Sequence, residues 1–161
     1  MTAAKHLYTL GYEGQTIEHF VERLRDAGIR TVIDVRELPL SRKRGFSKRA
    51  LAGVLAEHDI SYLHLRSLGC PKPVRDRLRL DGDWARYARD FASHLAGQGA
   101  LTAEVAQMAN AQTCGLLCFE ADFGRCHRSL VARKVAADGG PPVAHVTSTA
   151  IMPDAARQVA A

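Results

Sequence analysis

What most constrains this chain is the alternation of short apolar or β-branched runs with segments of helical period. Leu7 to Gly11 is apolar and closed by glycine, and reads as a first strand. Gly11-Tyr12-Glu13-Gly14 is a turn, after which Thr16 caps a helix carrying Ile17, Phe20, Val21 and Leu24 up to Gly28. Thr31 to Val35 is a β-branched strand. Ser47 caps a second helix with Leu51, Val54 and Leu55, and Ile60 to Leu65 is a third strand. Ser67 to Gly82 holds two prolines, two glycines and many charges, and reads as a long loop. Trp84, Tyr87, Ala88, Phe91 and Leu95 mark a third helix, and Leu101 to Asn110 a short fourth. Gly115 to Phe119 is a buried strand, Arg128 to Ala137 a helix stopped at Gly139-Gly140-Pro141-Pro142, and Val143 to Thr147 a last strand.

That order predicts a single α/β domain over residues 1–150, with a mainly parallel sheet and helices on both faces. The expected sheet has about five strands. Residues 151–161 are expected to be a frayed tail. A length of 161 residues suits one core, and neither a repeat nor a linker divides it. No apolar run spans a bilayer, so no membrane association is expected. The N-terminus has no apolar signal region, which points to a cytoplasmic chain whose Cys70, Cys114, Cys118 and Cys126 stay free thiols. The net charge of +5 favours an anionic partner, a small molecule or a nucleic acid. Six basic residues fall between Arg36 and Arg49, against the single acid Glu37.

Ligands of open α/β sheets bind beyond the carboxyl ends of the strands. The residues there are Tyr12 and Glu13, Asp34 and Arg36, His64 and Arg66, and the segment Cys118 to Arg128. Side chains two apart share a strand face, so Asp34 aligns with Arg36, Tyr62 with His64, and Cys118 with Glu120. Asp34 either ties down a loop through backbone amides or orients the basic groups. Tyr12 and Tyr62 line a pocket or fill the core.

Cys118-Phe119-Glu120 to Cys126-His127-Arg128 joins a strand to a helix, whose N-terminal amides favour an anion. Arg125 and Arg128 are candidate clamps, Cys126 a thiol of lowered pKa, and Glu120 and His127 proton carriers. A phosphatase loop with Cys118 as nucleophile fits poorly, since six residues separate it from Arg125, one too many. A metal site from Cys118, Cys126 and His127 lacks the tight pairing usual for zinc, because seven residues lie between the cysteines. No metal or cofactor is therefore expected, and a rim without covalent thiol chemistry is favoured. Cys118 and Cys126 also suit the role of small buried hydrophobes.

Thr9-Leu10-Gly11-Tyr12, Asp34-Val35-Arg36 with Pro39, Ser41-Arg42, Phe46-Ser47, Leu68-Gly69 and the Cys118 to Arg128 ending occur in this order over roughly residues 7 to 137. In these pieces the chain resembles the domain-of-unknown-function 488 family. The resemblance implies a small stand-alone α/β protein of bacterial type and assigns no reaction. The expected function is an enzyme acting on a nucleotide, a nucleic acid or another phosphorylated substrate. Arg36, Arg42 and Arg128 would bind the anion, with Ser41, Phe46, Arg125 and His64 beside them; Glu120 or His127 would move protons, with Cys126 and Asp34 at hand. The alternatives are a non-catalytic anion- or nucleotide-binding module and a thiol- or metal-dependent protein.

Overall fold

The computed structural model describes residues 5–155. Five strands run parallel: β1 (Leu7–Gly11), β2 (Thr31–Asp34), β3 (Ser61–His64), β4 (Cys114–Cys118) and β5 (Val143–Val146). A sixth, β6 (Ile151–Pro153), pairs antiparallel with β5, and the sheet order is β3-β2-β4-β1-β5-β6. The fold is thus the single, mostly parallel α/β domain that the alternation predicts. β2 and β4 are buried throughout, as strands covered on both faces must be.

Alternate residues of each strand feed two cores. Leu10, Val32 and Leu117 face α1 (Ile17–Asp26) and α2 (Lys48–Glu57), meeting Phe20, Leu24, Leu51 and Leu55. Leu7, Ile33 and Leu116 face the other way, toward α4 (Trp84–Ala96), α5 (Gly99–Ala111) and α6 (His127–Ala137), meeting Phe91, Val105 and Val131. The connections leave β1 and β2 toward the first face and β4 toward the second. β4 lies between β1 and β2, so a crevice opens at the carboxyl ends of these three strands.

Three expectations need correction. Ser67–Gly82 is not a loop: after a short 3-10 turn it forms α3 (Lys72–Asp81). Its prolines, Pro71 and Pro73, stand at the helix start, where a missing N–H costs nothing, and Gly82 ends the helix in the left-handed region at φ 62°. α5 is a full 13 residues. Ile151–Pro153, assigned to the tail, is an edge strand held by Asp154 N–H donating to Val143 O at 3.0 Å. The rest of that tail, from residue 156, lies outside the described residues.

The caps sort differently. Thr16 Oγ1 accepts from His19 N at 3.1 Å, as predicted. Ser47 precedes α2, but its hydroxyl donates to Ser41 O at 2.9 Å and accepts from Ser41 N at 3.0 Å, closing the basic loop instead. Among the described residues no helix is long and apolar enough to cross a membrane.

Candidate active site

A cavity of about 490 Å³ opens at the crevice beyond β1, β2 and β4. Tyr12, Arg36, Ser41, Cys118, Glu120, Arg125, Cys126 and His127 line it, all candidates from the sequence. Three of these segments are joined by backbone: Glu13 N–H donates to Phe119 O at 2.9 Å, and Val35 N–H donates to Leu117 O at 3.1 Å. A Cβ on Gly11 would stand 1.7 Å from Glu120 O, so only glycine lets the two chain segments approach this closely.

One wall is a buried ion-pair network. Arg36 Nε and Nη2 donate to the two oxygens of Asp34 at 2.9 and 2.7 Å, and Arg36 Nη1 donates to Phe46 O at 2.7 Å and Tyr12 OH at 3.2 Å. Arg36 N–H also donates to Asp34 Oδ1 at 3.1 Å, and Tyr62 OH donates to Oδ2 at 2.5 Å. Burial raises the Tyr62 pKa, and the Asp34 hydrogen bond and charge raise it further. The hydrogen bonds and charge of Asp34 outweigh burial to raise that of Arg36. Both readings of Asp34 therefore hold at once: it anchors the loop amide and orients the guanidinium. His64 Nε2 lies 2.7 Å from Arg36 O, adding a third tie. Arg36 is 5% exposed and committed to these partners, so it shapes the wall rather than standing free for an anion.

The cavity floor is a thiol–imidazole cluster. Cys118 Sγ lies 3.4 Å from Glu120 Oε2 and 3.6 Å from His127 Nδ1, and Cys126 Sγ lies 4.0 Å from the same nitrogen. His127 Nε2 sits 2.7 Å from Val35 O, which only accepts, so Nε2 carries a proton and Nδ1 faces the sulfurs. Phe91 meets the ring edge-to-face at 5.3 Å. The ligand atoms of Cys118, Cys126 and His127 all lie within 4.8 Å of one another, so these three can hold a metal ion. Their separation in the sequence had argued against this; the chain between the cysteines folds back through a 3-10 turn at Phe123–Arg125 and closes the gap.

The hydrogen bond to Cys126, then burial, raises the Cys118 pKa well above its ordinary value. Burial opposes ionisation of Cys126, yet hydrogen bonds from Cys118 and His127 and the charges of His127 and Arg128 bring its pKa well below the ordinary value. Burial, then the Cys126 charge, raises Glu120. Burial works against the imidazolium of His127, but the Cys126 hydrogen bond and charge prevail and raise it.

Other candidates stand elsewhere. Phe46 is fully buried, stacked on Tyr12 with ring centroids 4.3 Å apart, so no base reaches it. Arg128 is 1% exposed and outside the lining; its Nη1 donates to Glu120 O at 2.5 Å, and its Nε is buried with no partner. Arg42 is exposed and also outside the lining. In their place stand Arg75 and Arg79 of α3, with Cys70 and Tyr87 deeper in. Arg75 Nη2 donates to Glu37 Oε1 at 2.8 Å while its Nε is buried with no partner. Arg125 is exposed, its guanidinium 5.6 Å from the centre of the Trp84 ring. The aromatic at the mouth is Phe119, 44% exposed, with Leu38 and Leu40 beside it. The alternating arginines of α3 were the available signal, masked by the prolines.

A family model described as "Domain of unknown function DUF488" matches residues 16–135. No curated protein and no solved structure matches the chain.

Proposed function

The chain belongs to the DUF488 family, and we propose that its crevice cavity is the active site of an enzyme acting on a phosphorylated substrate, a nucleotide or a nucleic-acid strand. One observation carries this reading. The same cavity joins the guanidinium groups of Arg75, Arg79 and Arg125 to an apolar mouth of Phe119, Leu38 and Leu40, and sets the Glu120 carboxyl beside the thiol–imidazole floor. Guanidinium groups suit phosphate, and an exposed aromatic suits a base. Glu120 would carry the proton in the reaction, since its carboxyl lines the same cavity as the arginines.

The test is titration with nucleoside monophosphates and with single-stranded DNA and RNA at low and high salt. Salt-sensitive binding is expected, weakened at least about tenfold in the Arg79→Gln/Arg125→Gln double variant, the worth of one charge-assisted hydrogen bond. If none of these ligands binds in a salt-sensitive manner, the reading fails. For a substrate that turns over, Glu120→Gln is expected to keep the affinity and lose the rate; an unchanged rate removes Glu120 from the reaction.

A further inference from the structure

We propose that Cys118, Cys126 and His127 hold one zinc-class divalent ion at the cavity floor through two thiolates and Nδ1, leaving a fourth position open to the cavity. The sulfur–nitrogen separations are close to those that one tetrahedral ion imposes. With Zn–S near 2.3 Å and Zn–N near 2.05 Å, a sulfur and a nitrogen on one ion stand about 3.6 Å apart. The two observed sulfur–nitrogen separations are 3.6 and 4.0 Å. The imidazole is already oriented for the task. A ligating histidine commonly donates its other N–H to a carbonyl, and His127 Nε2 does so to Val35 O at 2.7 Å.

A disulfide is the rival use of two adjacent thiols. It gives no role to a third donor aimed at both sulfurs, nor to the backbone carbonyl and the Phe91 ring that fix that donor. Two thiolates and an imidazole suit zinc among the available divalent ions. Three protein ligands with an open fourth position is the pattern of catalytic rather than structural zinc. All three ligands line the cavity, and Glu120 flanks Cys118 without joining the triple. The inference deepens the active-site reading and rests on it only for the use of the open position, where zinc supplies a Lewis acid and an acidified water.

The experiment uses full-length untagged protein, reduced, stripped with a chelator and titrated with Co²⁺ alone. One ion per chain is expected, with a thiolate-to-cobalt charge-transfer band and the visible bands of a tetrahedral site, all displaced by Zn²⁺. Cys118→Ser and Cys126→Ser should each remove about half the charge-transfer intensity, one thiolate of two. Each, like His127→Gln, should weaken binding by more than about 100-fold, beyond the loss from an outer partner. Cys114→Ser, outside the triple, should leave the cobalt stoichiometry and charge-transfer band unchanged in the folded protein. X-ray absorption at the zinc edge on the wild-type protein needs no variant and should show two sulfur neighbours and one imidazole. No stoichiometric cobalt binding by reduced wild type, a different sulfur count, or equal loss in Cys114→Ser overturns the site. Nucleotide binding without cobalt binding refutes the metal alone; cobalt binding without nucleotide binding refutes the phosphorylated-substrate reading alone.

Discussion

Arg36 tolerates burial because four of its five N–H donors meet acceptors on Asp34, Tyr12 and Phe46. Asp34 in turn accepts from Arg36 and Tyr62. Removing one partner of such a pair leaves the other charged and unmet. Asp34→Asn is therefore expected to lower the unfolding free energy by about 3–5 kcal/mol, measured by urea denaturation. Gly11→Ala would drive a methyl group into Glu120 O and toward Arg128 Nη1. A cost of about 3 kcal/mol is expected, with loss of ligand binding in titration, because the displaced backbone carries Glu120. At this scale the sequence was half legible. Strand alternation placed Asp34 beside Arg36 and Cys118 beside Glu120. That Arg36 is spent on Phe46 O and Arg128 on Glu120 O depends on contacts from distant segments, which local spacing does not encode.

Elements with an uninterrupted period were legible in sequence: α1 from Ile17, Phe20, Val21 and Leu24, and β2 from Thr31 to Asp34. α3 was not, since prolines and glycines that end elements look alike inside one another's range. β6 was not, because three exposed residues carry no pattern; its register comes from tertiary partners. Those partners form a hydrogen-bonded relay, buried at Asp154, His145 and Thr9 and part-exposed at Arg133. Asp154 accepts from Arg133 Nε and Nη2 at 3.0 and 2.9 Å and lies 3.0 Å from His145 Nε2, whose Nδ1 is 2.6 Å from Thr9 Oγ1. Phe123 stacks on the His145 ring at 3.9 Å. The Arg133 hydrogen bonds, against burial and with help from His145, hold Asp154 below the usual carboxylate range. Burial, with repulsion from Arg128 and Arg133, outweighs the Asp154 attraction and lowers His145. Both folded pKa values are depressed, so in each case the unfolded chain binds protons first. The His145 contribution is complete above about pH 6.5 and lost as pH falls through the folded value; that of Asp154 is complete above about pH 3.9 and lost as pH falls below it. Urea denaturation of wild type and His145→Gln from about pH 8 to about pH 5 should show their stability gap narrowing on acidification. A gap independent of pH would mean that His145 does not titrate between the two states.

The two cores are separate in space but share every central strand. Leu7 and Leu10 of β1, Ile33 and Val32 of β2, and Leu116 and Leu117 of β4 face opposite ways from the same backbone. Neither helical layer can leave without exposing the sheet face it covers, and an exposed face of β2 or β4 has no polar residues with which to meet water, save Asp34 and Thr31. The sheet should therefore couple the layers into one unfolding unit. Phe20 in the first core and Phe91 in the second are both fully buried. Phe20→Ala and Phe91→Ala should each cost about 3–5 kcal/mol, through lost transfer energy and the cavity left behind. In both variants the urea transition should remain single, with an unchanged dependence on denaturant and coincident far- and near-ultraviolet circular dichroism. A second transition in either would show that one layer melts alone. The Phe91 variant carries a further consequence, because that ring also meets His127 edge-to-face. Its loss should weaken cobalt binding at the cavity floor while Phe20→Ala, which touches the opposite core, leaves it unchanged; equal weakening in both would tie metal binding to global stability rather than to the orientation of His127.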